Sequence, residues 1–268
     1  MTNLDQILDM AEEALDRGDP REALNLCAGA LAAAADHPGA WYIRAEAYRD
    51  LGELDDAEIA YRRSASLAPE HAPSWAALGT VLFDQLRFDD ARSAILRAIR
   101  LDPECAEAYW GRALLRERRG DHRGALRDFR RANLLDVRYA VPIHLDDETI
   151  EAVVTEALAE LHPAIQAYLA NVPIVLEEVP DAELCERWDP PMPPAGILGY
   201  FSGTTMGDQT GADSWSALPA TIVLFRRNLE RAATDRETLI DELRITVFHE
   251  VGHYLGLDED DLEKRGLE

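Results

Sequence analysis

The sequence predicts an α-helical solenoid followed by a small α+β domain, and three observations carry that reading. Residues 4–139 repeat with a period of 34. The repeat breaks at 137–147 (Val-Arg-Tyr-Ala-Val-Pro-Ile-His-Leu-Asp-Asp), where the charge balance also changes. Residues 1–139 hold 25 acids and 19 bases, residues 140–268 hold 26 and 8. Beyond the break come short β-branched runs and one long amphipathic pattern. A length of 268 residues accommodates two domains, each with its own core.

The repeat sets the first domain, residues 1–139. Ala23, Ala57, Ala91 and Ala125 are spaced by 34 residues, and Ala11, Ala45, Gly79 and Ala113 keep the same register. So do Ala30, Ser64, Ala98 and Ala132. Small residues at these positions let two antiparallel helices approach closely. Gly18, Gly52 and Gly120 fall at the turn between them, with Leu86 in place of glycine in the third unit. Pro69 and Pro103 end units two and three, because proline cannot continue a helix. Trp41, Trp75 and Tyr109 share one position. A 34-residue helical period with this pattern resembles the tetratricopeptide repeat, in four units. The resemblance implies an array that binds a protein or peptide partner on a concave groove. By the repeat's pattern Tyr42, Glu46, Arg49, Thr80, Phe83, Trp110 and Leu114 line it; a spacer that binds nothing is the plain alternative.

The second domain is expected over residues 145–268. Asp146 or Asp147 caps a helix whose apolar positions are Ile150, Val153, Val154, Ala157 and Leu161. Pro163 kinks it or starts a second piece running to Leu169. Residues 173–179, short and β-branched, read as a strand, and 197–202 and 221–225 as two more. Residues 181–188 read as a short helix, and 189–196, with four prolines, as a loop. Residues 203–219 read as a polar loop, and Asn228 as the cap of one short turn. Thr234 with Glu237 forms a capping box. Leu239, Leu243, Val247, Val251 and Leu255 then follow at spacings of four, the stripe of a long helix facing a core. Gly256 is placed to end it in a left-handed cap, and Asp258 to cap a last helix over 259–265.

His249-Glu250-Val251-Gly252-His253 lies on that helix. A separation of four puts both imidazoles on one face, about one turn apart, where both reach one ion. They sit away from the apolar stripe, on the face of Glu242 and Ile245. Zn²⁺ accepts imidazole nitrogen and, when catalytic, holds three protein ligands plus water. Glu250, rotated by roughly 100°, is placed beside that water as a proton acceptor. Asp258, Glu259, Asp260 and Asp261 also suit a helix start, where acids face the positive end of the dipole.

Helix, three short strands, metal-site helix and terminal helix resemble the minimal zincin-like metallopeptidases. The resemblance rests on Leu-Gly-Tyr-Phe-Ser-Gly at 198–203, Thr-Ile-Val-Leu-Phe-Arg-Arg at 221–227 and His-Glu-Val-Gly-His-Tyr-Leu-Gly-Leu-Asp-Glu from 249. It implies zinc held by His249, His253 and a third ligand at Glu259, where the family more often has Asp. Asp258 is the alternative one register away. It also implies Glu250 as the catalytic base. An extended peptide is expected to pair along an edge strand, with residues 200–202 the candidate.

Composition excludes other classes. The formal charge of −24, most of it in the second half, argues against nucleic acid or an anionic membrane as ligand. No 18-residue apolar run spans a membrane. Cys27, Cys105 and Cys185 are scattered and read as reduced thiols, and the N-terminus lacks signal-peptide character, so a cytoplasmic location is expected. The function expected is a zinc-dependent peptidase with a partner- or substrate-binding array. The alternative is a scaffold in which the array works and the zincin-like module is metal-stabilised and inert.

Overall fold

Alanine sets the spacing of the first half. Ala11, Ala23, Ala30, Ala45, Ala57, Ala91, Ala98 and Ala113 have no exposed surface, each at a helix crossing. The structure, a computed structural model, describes residues 4–188, 190–205 and 220–264. It divides into two compact units with the break between Tyr139 and Ala140.

The first unit consists of four antiparallel helical hairpins. They are α1 (Leu4–Asp16) with α2 (Pro20–Ala33), α3 (Pro38–Asp50) with α4 (Leu54–Leu67), α5 (Ala72–Asp84) with α6 (Phe88–Leu101), and α7 (Ala106–Glu117) with α8 (His122–Leu135). Where the third unit has Gly79 in place of alanine, a Cβ would lie 2.5 Å from Ile95 Cγ1, so this crossing leaves no room for a side chain. Pro20 and Pro38 open their helices, where a missing N–H costs nothing. Asp19, His37 and Asp121 cap theirs through side-chain bonds to the amides of Glu22, Ala40 and Gly124.

The hairpin turns require a left-handed residue. Gly18, Gly52 and Gly120 adopt φ of +73°, +74° and +74°, and Leu86 is forced to +63° at the equivalent turn. An L-residue with a Cβ is strained there by about 1–2 kcal/mol.

The second unit comprises α9 (Asp147–Glu160), α10 (Pro163–Leu169), β1 (Ile174–Glu177), α11 (Ala182–Cys185), β2 (Gly199–Ser202), β3 (Thr221–Phe225), α12 (Arg226–Ala232), α13 (Arg236–Leu255) and α14 (Glu259–Glu263). The sheet order is β1-β3-β2, with β1 parallel and β2 antiparallel to β3. Ile222 and Leu224 of β3, Ile150, Val153 and Ala157 of α9, and Leu239, Leu243, Val247 and Val251 of α13 form one buried core. Each buried valine, leucine or isoleucine here contributes about 1.5–3 kcal/mol.

Some expected boundaries move. Asp146, not Asp147, caps α9, accepting from the Thr149 amide at 2.8 Å. The cap of α13 is Asp235, which accepts from the Thr238 amide at 2.9 Å, so the capping box at Thr234 and Glu237 does not form. Asn228 caps nothing: it is buried inside α12, and its Nδ2 donates to the carbonyls of Pro194 (2.8 Å) and Ile197 (2.5 Å), pinning the proline-rich loop. Most of the loop expected at 203–219 lies outside the described residues, as does Arg265. Arg226, only 8% exposed, donates to the Leu145 carbonyl at 3.0 Å and pairs with Asp147 and Glu178, fastening the start of α9 to the end of β3. Cys27, Cys105 and Cys185 are free and buried. Among the described residues no helix is long and apolar enough to cross a membrane.

Leu86→Gly relieves the strained turn and is expected to stabilise the first unit by about 0.5–1 kcal/mol, after allowance for glycine's greater unfolded-state entropy. Thermal unfolding followed by circular dichroism checks this; a lowered Tm contradicts it.

Candidate functional site

Helix α13 presents the site because it is packed on several sides at once. Besides its apolar stripe it buries Thr246, Glu250, Gly252 and Tyr254. The face of Glu242, Ile245, His249 and His253 lines a cleft of ≈ 610 Å³.

The helix ends where a left-handed glycine was expected. Gly256 has φ +89°, and the Leu257 amide donates back to the Gly252 carbonyl at 3.0 Å. This turn brings α14 over the histidines. Asp258 spends its carboxylate on the cap, accepting from the Asp261 amide at 2.9 Å. Glu259, first residue of α14 and 76% exposed at its side chain, reaches the imidazoles. Its oxygens lie 3.7 Å from His249 Nε2 and 3.4 Å from His253 Nε2, and the two Nε2 atoms are 3.0 Å apart. Among the described residues, His249, His253 and Glu259 are the group whose donor atoms all lie within 4.8 Å of one another.

These separations fit a tetrahedral ion. Zinc bonds of 2.0–2.1 Å at tetrahedral angles set donors about 3.3 Å apart. Protonation also fits. His253 Nδ1 is 3.2 Å from the Leu257 carbonyl, which can only accept, so Nδ1 carries the hydrogen and Nε2 of the neutral ring offers a lone pair. Two arrangements satisfy the histidine pair: an N–H···N bond from His249, or a cation between two lone pairs.

Glu250 is held apart from this group. It is 4% exposed, and the Phe201 backbone N–H donates to its carboxylate. Burial pushes its carboxyl up to about 8, the Phe201 amide opposes that, and the Glu259 charge adds to it. A carboxyl that exchanges its proton near neutrality suits general acid–base work.

Two glycines that the motifs did not single out make the arrangement possible. A Cβ on Gly199 would come within 2.8 Å of Thr246 Cγ2 and 2.9 Å of Glu250 Oε1, so glycine on β2 leaves room for the carboxylate. A Cβ on Gly252 would come within 2.3 Å of Leu262 Cδ2. Leu262 has no exposed surface and anchors α14, so Gly252 forms the seat from which Glu259 reaches the histidines. The spacing of Gly252 and Leu262 carries no periodic signal across the Gly256 turn.

Backbone register revises the edge-strand candidate. The Phe225 amide donates to the Leu198 carbonyl at 2.8 Å, so Tyr200 and Ser202, two and four residues on, direct their backbone groups toward β3. The groups facing away from β3 on the expected 200–202 segment are those of Phe201, joined by Gly199 before it. Tyr200 accepts from Arg187 at 2.6 Å and meets Trp188 edge-on at 6.0 Å. Tyr254 is 3% exposed and packs on Phe201.

The array's expected groove residues separate into two sets. Arg49 donates to Glu46 at 2.5 Å and to Glu107 at 3.2 Å; the Tyr61 hydroxyl donates to Glu46, and Thr80 to Glu107 at 3.4 Å. Burial pushes the carboxyls of Glu107 and Asp84 up to about 7 against the pull of Arg49. Tyr42 stands edge-on to Tyr61 at 5.8 Å. Trp110 packs on Phe129 at 4.7 Å and on Tyr139 at 5.6 Å. Phe83 and Leu114 are 3% and 6% exposed and belong to the core instead. The repeat position sets only the direction of Cβ, and these long apolar side chains turn into neighbouring helices.

Comparison with known proteins agrees with both halves. Residues 8–72 and 76–133 match the tetratricopeptide-repeat family. Residues 169–267 match the family described as zincin-like metallopeptidase, a match that starts after α9. No curated protein matches the chain. A crystal structure of MamA is 24% identical over 51% of this chain and 80% of its own, with TM-score 0.44. A structure titled for functional characterisation of Pseudomonas aeruginosa pilF is 21% identical over 50% and 61%, with TM-score 0.46. A thermophilic TPR protein of Thermus thermophilus is 20% identical over 63% and 87%, with TM-score 0.46. The chain thus joins tetratricopeptide repeats in its first half to a zincin-like metallopeptidase module in its second.

Proposed function

We propose that the second unit is a zinc-dependent peptidase and that the repeat array holds its protein or peptide substrate, or a partner that delivers one. The observation that carries this reading is the convergence of two imidazole nitrogens and a carboxylate, at separations of 3.0, 3.4 and 3.7 Å, beside a buried carboxyl that is not among them. His249, His253 and Glu259 would hold the ion. When bound, zinc supplies Lewis acidity, which polarises a carbonyl oxygen and acidifies water. Leu257 fixes His253 through Nδ1. Glu250 takes a proton from the attacking water at a carboxylate oxygen and delivers it to the nitrogen of the leaving amine. Gly199 and the Phe201 amide keep that carboxylate in place. The Gly199 groups and the Phe201 carbonyl, which face away from β3, give an extended chain an edge to pair with.

About one Zn²⁺ per chain is expected after zinc supplementation, with His249→Ala and His253→Ala each losing it. Glu259→Ala is expected to weaken zinc by well over tenfold, whereas Asp260→Ala and Asp261→Ala leave it in place. Metal analysis and competition with a chromogenic chelator read both; a Glu259→Ala protein that binds like wild type removes Glu259 from the ligand set.

Glu250→Gln is expected to keep zinc and stability and to abolish hydrolysis of an unfolded protein substrate, since it removes a base and no ligand. A variant as fast as wild type sinks the mechanism. Wild-type protein that binds zinc and cleaves nothing favours the scaffold.

Gly252→Ala leaves every donor in place but crowds Leu262, and overpacking of this kind costs about 1–3 kcal/mol. Displacement of α14 should weaken zinc several-fold while the circular dichroism spectrum stays native. Unchanged zinc affinity would show that the seat does not govern Glu259.

A further inference from the structure

The cleft holds one charged group that the reading above leaves without a task. The acids lining it are Glu242, Glu250, Asp258 and Glu259, and no lysine or arginine is among the described residues that do so. Glu250 and Glu259 have the roles given above, and Asp258 caps α14. The Glu242 carboxylate has no hydrogen-bond or ion-pair partner among the described residues; its backbone belongs to α13, and its carbonyl also accepts from Thr246 Oγ1 at 2.8 Å. It lies on the donor face of α13, seven residues before His249, so about 10 Å from it along the helix axis. Ile245 is its neighbour one turn on, and Trp188 and Met192 give the same cleft an apolar wall.

An unpaired carboxylate beside an apolar wall fits one kind of side chain: a long aliphatic stem ending in a cation. Ten ångströms is about one residue of extended chain, 3.3 Å, plus an outstretched lysine or arginine. We propose that Glu242 selects a lysine or arginine of the substrate close to the cleaved bond, its stem lying along the apolar wall. The word substrate here rests on the peptidase reading. The excess of 26 acids over 8 bases in residues 140–268 favours approach of such a chain.

The test uses the full zinc-loaded chain and internally quenched peptides that differ at one position. That position carries Lys, Arg, norleucine or Glu, on either side of the cleaved bond. At one position Lys or Arg should exceed norleucine about tenfold in kcat/KM, the scale of a hydrogen bond to a charged group. In Glu242→Gln the ratio should fall to about two or less, with turnover of norleucine peptides unchanged. In Glu242→Lys the order should reverse in favour of Glu. The same peptides are titrated by fluorescence anisotropy against Glu250→Gln and against Glu250→Gln/Glu242→Gln. If wild type cleaves nothing but basic peptides bind more tightly when Glu242 is present, the selectivity stands and the peptidase reading falls. If peptides are cleaved without preference for Lys or Arg, or with one that survives Glu242→Gln, the selectivity falls and the peptidase reading stands. Neither cleavage nor Glu242-dependent binding overturns both.

Discussion

The burial of α13 is the constraint on which the second unit depends. One helix supplies Leu239, Leu243, Val247 and Val251 to the core and His249 and His253 to the cleft. It packs against α9, β2, β3 and α12. The donor geometry is therefore fixed by core packing. Helix geometry sets the rotation between the two faces, and interlocking side chains set the position of the helix on the sheet. A core leucine cut to alanine costs about 2–5 kcal/mol and lets the helix settle into the space left. Any such settling also carries the imidazoles, whose fit to an ion is tolerant of only a few tenths of an ångström.

A second consequence is electrostatic. The turn of helix that lifts His249 into the cleft rotates Glu250 inward, where it is 4% exposed. Burying a carboxylate without donors costs several kcal/mol, so a donor has to be provided. Strand β2 provides one, the Phe201 amide, and Gly199 on the same strand gives the carboxylate room. The sheet thus does more than support the helix. Its edge strand sits where the buried acid needs it, which explains a glycine in a four-residue strand that its own propensity disfavours.

Much of this was legible because it follows from local rules. Ala11, Ala23 and their equivalents show the repeat through size alone, and Gly256 shows the end of α13 through its left-handed backbone. Strand β3 lies at the residues expected from its β-branched run. The misreadings share a cause: the decisive partner is distant in sequence. Asn228 looks like a cap until the Pro194 and Ile197 carbonyls, more than 30 residues earlier, claim its amide. Asp235 and Thr234 are both competent caps, and packing of α13 decides between them. Gly252 reads as a filler position of the motif until Leu262 arrives on it. Leu86 is the reverse case. The sequence shows the glycine missing, and the array imposes the glycine conformation on leucine because the other three hairpins, on the same plan, leave the third no other turn.

The exposed third donor has a physical logic of its own. Glu259 is 76% exposed at its side chain, so water reaches its carboxylate while nothing is bound. Its placement comes from elsewhere: Gly256 reverses the chain, Asp258 starts α14, and buried Leu262 holds that short helix on Gly252. An ion taken up by His249, His253 and Glu259 would bind only when α14 is seated, so binding free energy becomes stability of the chain's final helix. A carboxylate buried like Glu250 could not serve in that place, since its desolvation would have to be met before any ion arrived. The two acids are therefore not interchangeable, although both lie beside the same histidines. One is buried and exchanges its proton near neutrality; the other is exposed and open to a cation.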